Sequence, residues 1–212
     1  KIHSKIFLTK SLKTKKIYDH LISQRFVNDP NSYWVEKTGS NLETIKTLLP
    51  LHNSKYVDGK AKNIHFEIRT RILTTRSLES KYKKDLSENC KFCLTLNITV
   101  KEDVFHSIVE CPRALALWDF LMPFFRNFGI PNLSDINKIF GIQTTKHKVL
   151  LNLVLQTAQK AIWFSRYKFE KKDKLEDTTR LFTKYLSRQI FVIRKIVSEK
   201  VFLDIFENNG LV

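Results

Sequence analysis

The feature that most constrains the fold of this chain is a group of cysteine and histidine residues near its middle. Cys90, Cys93, His106 and Cys111 follow the spacing Cys-x2-Cys-x12-His-x4-Cys, which contains all three cysteines of the chain. A Cys-x2-Cys pair on a tight turn lets both sulfurs reach one ion. His106 and Cys111 are five residues apart, a little more than one helical turn, so a helix loosened by Pro112 would place both on one side. The spacing predicts a zinc site with these four ligands.

The predicted zinc ion is structural, because four protein ligands leave no open coordination position for the water that a catalytic zinc requires. Binding of such an ion is coupled to folding. Three cysteines cannot all pair with one another, so a disulfide framework is not expected and a reducing compartment fits better. In the alternative interpretation, Cys90 and Cys93 are ordinary buried thiols and His106 is a core histidine.

Charge is distributed unevenly along the chain. The 37 Lys and Arg against 21 Asp and Glu give a net charge of +16. Residues 1–80 carry +8, residues 81–130 carry +1 and residues 131–212 carry +7. We therefore predict three parts: a basic helical segment, a nearly neutral zinc-binding module and a basic C-terminal helical segment. Such an excess of positive charge favours a polyanionic partner, most commonly nucleic acid, although a compositional bias towards lysine would also produce it.

Hydrophobic periodicity predicts a mainly α fold, a bundle-like helical region with an inserted CCHC zinc-binding segment. Only five glycines and five prolines interrupt the chain, and apolar residues recur at the spacing of amphipathic helices. The predicted helices occupy residues 9–26, 42–49, 62–82, 104–120, 149–162 and 177–206, the fourth of them divided or kinked at Pro112. Residues 28–34 have turn chemistry, and residues 132–141 are predicted to form a short helix or turn.

The cysteine–histidine segment resembles the zinc-binding motif that lies downstream of the reverse transcriptase domain in non-LTR (LINE-type) retrotransposon proteins. The family pattern reads Cys-x2-Cys, a loop, Glu-Thr-x-x-His, then Cys-Pro and a Trp several residues on. This chain has the cysteine pair, Glu-Asp-Val-Phe-His at 102–106, Cys111–Pro112 and Trp118. It departs from the pattern at Leu94, where glycine is common, and at Asp103, where threonine is common; neither position supplies a metal ligand.

Flanking segments extend the resemblance over about 150 residues. "KKIYDHLI" and "FEIRTRILTTRSL" precede the cysteines and "AQKAIWFSR" follows them, in the order and spacing seen in the family. The resemblance implies a C-terminal region that holds template RNA or target DNA near a polymerase domain upstream in the same chain. It also implies an intracellular location, in a nuclear or cytoplasmic ribonucleoprotein. The first residue is Lys1 and not Met, so we expect a piece of a longer protein.

The sequence contains none of the signatures of the chemistry that such a polymerase performs. It has no Tyr/Phe-x-Asp-Asp motif, no Pro-Asp…Asp/Glu-x-Lys nuclease pattern and no Gly-rich phosphate loop. Metal-dependent phosphoryl transfer needs converging carboxylates, whereas the pairs Glu102–Asp103 and Glu176–Asp177 are neighbours in sequence and are expected to be solvated surface charge. We expect no catalytic residues in this segment and no enzymatic activity of its own.

Phosphate contacts are expected from the basic residues on both sides of the cysteine segment, and arginine is favoured because its fork fits a phosphate. The candidates are Arg69, Arg71, Arg76, Lys83 and Lys84 upstream, and Lys160, Arg166, Lys168, Lys171 and Lys172 downstream. On one continuous helix, Arg69 and Arg76 would share a face, with Arg71 about 200° away from Arg69. Trp163 is a candidate for base stacking, whereas Trp118 is expected in the core.

A second class of function remains open on these residues. The same fold is compatible with a domesticated retrotransposon-derived module in which zinc staples a surface that binds a protein. A contiguous basic face would favour nucleic acid, and basic residues spread around an exposed apolar patch would favour a protein partner. No run of 18 apolar residues is present, so no transmembrane helix is predicted.

Overall fold

A computed structural model describes residues 30–48, 56–143, 147–172 and 176–206, and within these ranges the protein is mainly helical. The helices are α1 (Pro30–Thr38), α2 (Leu42–Leu48), α3 (Gly59–Arg69), α4 (Arg76–Glu79), α5 (Lys91–Thr95), α6 (Pro112–Asn127), α7 (Asp135–Phe140), α8 (Lys148–Lys172), α9 (Thr178–Ile196) and α10 (Glu199–Phe206), with a π-helical turn at His106–Glu110 before α6. In the described ranges, β pairing is limited to one antiparallel bridge between Asn89 and Lys101.

Helix α8 is the centre of the fold, and it packs against α3, α6, α9, α10 and the π-helical turn. Every side chain from Leu150 to Gln159 is buried, so this part of the helix is covered on all sides. Two of its buried polar groups bond to backbone: Thr157 donates to the Leu153 carbonyl at 2.7 Å, and Gln159 Nε2 donates to the Lys138 carbonyl at 2.7 Å. Gln156 Oε1 is buried without a hydrogen-bond partner among the described residues.

Asn152 fixes the loop that leads into α8. Its Oδ1 accepts from the Ile142 amide at 2.9 Å and its Nδ2 donates to the Ile142 carbonyl at 2.8 Å. Gly141, directly before Ile142, has φ of +103°, and a Cβ there would lie 2.5 Å from Asn152 Oδ1. Glycine is therefore required at position 141 both by its backbone angle and by the side chain beside it.

Two predicted helices are shorter than their sequence pattern indicated. The single helix predicted over residues 62–82 is wrong as a continuous helix, because the chain leaves α3 at Thr70 and Arg71 adopts a left-handed φ of 59°. Within the rest of this range, only Arg76–Glu79 is helical. The continuous helix predicted over residues 177–206 is also wrong, because Val197 is extended with ψ of 157° and separates α9 from α10. Ser198 then precedes Glu199, and this pair is typical of a helix start.

The turn predicted at residues 28–34 is wrong from Pro30 onwards, because Pro30 begins α1; residues 28 and 29 lie outside the described residues. The fixed φ of proline suits the first position of a helix. The other predicted helices are confirmed: α2 ends before Pro50, α8 contains the predicted residues 149–162, and Pro112 separates the π-helical turn from α6. The helix predicted at residues 9–26 lies outside the described residues.

The expected mainly α class is confirmed. Buried side chains from all three predicted parts of the chain, for example Ile64, Leu117 and Leu153, belong to one hydrophobic core. The proposed boundaries at residues 80 and 130 stay predictions. None of the described helices combines the length and apolar character needed to cross a membrane.

A buried histidine joins α3 to α8 and makes stability sensitive to acid. Burial lowers the pKa of His65 to about 4, and its Nδ1 lies 2.8 Å from Gln159 Oε1. In the unfolded chain the imidazole regains a pKa near 6.5. The unfolded state therefore binds the proton first, and stability that is complete above pH of about 6.5 is lost as pH falls towards about 4.

We predict that His65 contributes about 3 kcal/mol to the loss of unfolding free energy between pH of about 7 and 4. Urea unfolding of the wild type and of His65→Gln across this range measures the contribution. The stability curve of the variant should fall less steeply with acid. Parallel curves for the two proteins would contradict the prediction.

Candidate metal centre

The first pair of cysteines lies on a short turn, residues 90–95, which is held by backbone hydrogen bonds and is called the knuckle below. Cys90 is the residue that precedes α5, and Cys93 lies within that single turn of helix. The Cys90 amide donates to the Val100 carbonyl at 2.8 Å, and the Ile98 amide donates to the Cys93 carbonyl at 2.9 Å. These bonds fold residues 96–100 back over the knuckle, so the two sulfurs are held on one side of it.

The second pair lies at the two ends of the π-helical turn. The Cys111 amide donates to the His106 carbonyl at 2.7 Å, a hydrogen bond between residues five apart. A π-helical turn closes with this five-residue spacing, whereas an α-helical turn closes with four. Asp103 caps the turn, accepting from the His106 amide at 2.8 Å. The x4 spacing in the sequence is therefore matched by the local backbone geometry.

The structure brings the four predicted ligands together. Their ligand atoms all lie within 4.8 Å of one another, and all four residues are buried. Cys93 Sγ and His106 Nε2 are 3.4 Å apart, and His106 Nδ1 lies 3.7 Å from Glu110 Oε2 on the other edge of the ring. All three cysteines are free thiols. The group fits a tetrahedral ion with metal–ligand bonds of about 2.0–2.3 Å.

The thiols of the knuckle resist ionisation in the absence of a cation. A hydrogen bond with Cys111 and burial raise the pKa of Cys90 to about 12, and burial raises the pKa of Cys93 to about 11. The hydrogen bond from Cys90 lowers the pKa of Cys111. A bound metal ion would replace these protons, because metal–thiolate bonds form with proton release.

A buried ion pair attaches the knuckle to the central helix. Glu102 is 1% exposed, and its two oxygens accept from Arg166 Nη2 at 2.7 Å and Arg166 Nε at 3.3 Å. The Arg76 amide donates to Glu102 Oε2 at 3.0 Å. The expectation that Glu102 is solvated surface charge is therefore wrong. Asp103 is also engaged, since it caps the π-helical turn and lies 3.5 Å from Lys37.

The two residues of the second acidic pair, Glu176 and Asp177, have different environments. Glu176 forms an ion pair with Lys168 and is partly buried, so its expected solvation is wrong as well. Asp177 is exposed and accepts from the Thr179 amide at 2.9 Å, which caps the start of α9.

Several residues predicted to contact phosphate are already paired within the fold. Arg76 Nε donates to Glu170 at 3.2 Å, Arg166 is held by Glu102, and Lys160 lies 2.8 Å from Asp58. Lys168 is paired with Glu176. Arg76 and Arg166 each hold a carboxylate within the fold, and breaking a buried pair leaves an uncompensated charge. Their predicted phosphate contacts stay predictions.

The remaining upstream candidates do not share one face. Arg69 ends α3, and burial lowers its pKa to about 10. Arg71 stacks on the Tyr33 ring, with Cζ 3.8 Å from the ring centre. The expectation that Arg69 and Arg76 share a helix face is therefore wrong, because α3 ends between them. Lys83 and Lys84 are exposed.

The last candidates lie towards the end of α8. Lys171 is exposed, and the side chain of Lys172 lies outside the described residues. Trp163 is half-buried beneath the Arg166 guanidinium, with Cζ 4.7 Å from the ring centre. Trp118 is in the core as expected, donating from Nε1 to the Ile108 carbonyl at 2.7 Å.

The sequence interpretation missed a set of basic residues on α9. Arg180, Lys184 and Arg188 are exposed and recur every four residues, which places them along one face at a rise of about 6 Å each. Arg194 and Lys195 are also exposed, and the 19 residues of α9 include no Asp or Glu. The sequence pattern that could have revealed these residues is a helix without Asp or Glu in which basic residues recur every four positions.

The chain matches no family model, no curated protein and no solved structure. The resemblance to retrotransposon proteins therefore stays a prediction from the motifs.

We predict that Glu102→Gln destabilises the protein by about 3 kcal/mol, because it leaves the buried Arg166 charge without its partner. Glu43→Gln is the matched control, since Glu43 is exposed and pairs with Lys46 at 3.0 Å within α2. It should cost less than about 0.5 kcal/mol. Chemical denaturation of both variants at neutral pH measures the difference. Equal losses for the two would show that the Glu102 pair adds no more than a surface pair.

Proposed function

We propose that this chain is a nucleic-acid-binding domain, stapled by a structural zinc ion, from the C-terminal region of a non-LTR retrotransposon reverse transcriptase. In this role it holds template RNA or target DNA near a polymerase domain of the same protein, inside the cell. The resemblance at the cysteine–histidine segment supports the family, and the net charge of +16 supports a polyanionic partner. The segment itself contributes binding and no catalytic groups.

The exposed basic face of α9 is the observation that carries nucleic-acid binding. Among the described residues, Arg180, Lys184 and Arg188 have no acidic partner in an ion pair. Such cations can release the counterions of a phosphate backbone when they bind it. Phe191 is 58% exposed and lies under Lys195, 4.4 Å from Nζ to the ring centre. An exposed aromatic ring beside a basic stripe is suited to a single strand, whose bases can stack on it.

Zinc is the ion that the donor set favours. Three thiolates and one imidazole form a soft, closed, tetrahedral set, which is typical of structural zinc sites and leaves no position for substrate. The buried cluster lies between the knuckle and the start of α6, so the ion would join two segments that the backbone alone connects through a 12-residue loop.

The second candidate is a protein-interaction module, which a separate observation favours. Leu94, Leu96 and Ile98 are each at least 40% exposed at the outer end of the knuckle. Grouped apolar side chains at a surface are a common mark of protein contact. Binding experiments with nucleic acid separate the two candidates.

We predict one zinc ion per chain in protein purified without added metal. Elemental analysis by mass spectrometry measures the stoichiometry, and Cys93→Ser should lower both zinc content and thermal stability because the ion couples to folding. A metal content near zero, together with folding that chelator leaves unchanged, would contradict the structural zinc.

We predict that the triple change Arg180→Ala, Lys184→Ala, Arg188→Ala weakens binding to a labelled single-stranded RNA of mixed sequence. The slope of log affinity against log salt should become shallower by about 2, since each lost phosphate contact on a single strand removes about 0.7. Fluorescence anisotropy across a salt series measures it. The same series with duplex DNA shows which polymer is preferred.

The charge-matched control is Lys81→Ala, Lys83→Ala, Lys84→Ala, which removes three exposed cations before the knuckle. It should change the slope by less than the α9 triple. Equal effects would move the binding face towards residues 81–84, and no binding by the wild type at low salt would favour the protein-interaction module.

A further inference from the structure

One buried arginine has no hydrogen-bonding partner in the described part of the chain. Arg113 is the second residue of α6, directly after Cys111 and Pro112. Its side chain is 6% exposed, yet Nε, Nη1 and Nη2 all lack a hydrogen-bond partner among the described residues. A guanidinium carries five N–H donors and a permanent positive charge. Burial of such a group without an acceptor is strongly unfavourable.

The guanidinium lies beside the cysteine cluster. It is stacked over the ring of Phe92, with Cζ 5.5 Å from the ring centre, and Phe92 is the residue just before Cys93. The charged groups that act on it are Cys111, Cys90 and Glu102, which attract it, and Arg166, which repels it.

Glu102 is already committed to other groups. Its two carboxylate oxygens accept from Arg166 and from the Arg76 amide, and the Glu102–Arg166 pair is neutral as a unit. Arg113 donates to no sulfur in the described part of the structure, so what the cysteine cluster can offer it is negative charge.

The charge of a loaded metal centre supplies the counterpart. Three thiolates, a neutral imidazole and a divalent cation together leave one negative charge. That charge would be buried, because all four ligands are buried. A buried charge needs a partner of opposite sign.

We infer that Arg113 is the counter-ion of the Cys3His metal centre, with its buried positive charge offsetting the negative charge of the thiolates. Arg113 is not a ligand; it is a positioning residue that balances the net charge of the centre. The inference rests on the proposed metal binding and is independent of nucleic-acid binding. Groups outside the ligand set raise metal affinity in this way.

The test measures zinc affinity by competition with a chromophoric chelator on the full chain. Arg113→Met keeps much of the side-chain volume and removes the charge and all donors, and it should bind zinc about 10- to 100-fold more weakly. Arg113→Lys keeps the charge and should lose less. The control is Arg126→Met, because Arg126 is exposed on the same helix, and its zinc affinity should match the wild type.

Cobalt substitution gives a second readout that a packing role would not change. A positive charge beside a thiolate lowers the energy of the sulfur electrons. The sulfur-to-Co²⁺ charge-transfer band should therefore move to longer wavelength in Arg113→Met and stay in place in Arg126→Met. If the methionine variant does not fold, Arg113→Gln, which also removes the charge, is measured in the same way.

The outcomes separate this inference from the function proposed above. A wild-type protein that binds no metal would overturn both. A wild type that binds one zinc, with affinity and band position unchanged in the neutral Arg113 variants, would overturn only the counter-ion role. Weaker binding with a shifted band in those variants, and not in Arg126→Met, supports it.

Discussion

The buried pair of Glu102 and Arg166 is the interaction on which the arrangement of the described helices depends. It joins Glu102, which follows the knuckle in the chain, to the central helix α8. The backbone amide of Arg76, the first residue of the short helix α4, donates to the same carboxylate. The cysteine-rich segment also contacts α8 through the π-helical turn and through the Phe92 and Phe169 rings, whose centres are 6.0 Å apart. The buried pair adds a directional bond to these contacts and helps to set where the four candidate ligands lie relative to the helical core.

Basic side chains in this protein differ in their partners according to how deeply they are buried. Several cations at the edge of the core pair with carboxylates, as with Arg76 and Glu170 or Lys160 and Asp58. Arg180, Lys184 and Arg188 of α9 are exposed and form no ion pair with a carboxylate in the described part of the chain. Paired cations hold the fold together, and unpaired ones are free to meet phosphate. A high net charge is thus compatible with a compact core because its excess lies on the outside.

Much of the helical fold followed from the sequence because its signals are local. The apolar run of α8 and the proline that separates the π-helical turn from α6 are readable from neighbouring residues. The end of α3 is not, because neither Gly nor Pro marks it. Trp34, 35 residues earlier, donates to the Arg69 carbonyl at 3.0 Å, and Tyr33 stacks on Arg71. Tertiary contacts of this kind override a helical pattern.

The candidate site, too, could be predicted from the sequence only in part. The four cysteine and histidine positions could be assigned from their spacing, since a metal ion imposes geometry on ligands that are close in sequence. The roles of Arg76 and Arg166 could not, because their carboxylates lie 94 and 64 residues away along the chain. An arginine in a sequence carries no mark that tells an ion pair from a phosphate contact.

The π-helical turn limits the number of residues that can separate His106 from Cys111. Its five-residue closure ends at Cys111, and Pro112 begins α6 immediately afterwards. Deleting one residue between His106 and Cys111 would return the turn to α geometry and rotate α6 by about 100°. Trp118 and Leu117 would then leave the core, and the fourth sulfur would turn away from the other three. In this segment, a change of length is opposed by two separate constraints: the grouping of the four candidate ligands and the packing of the core.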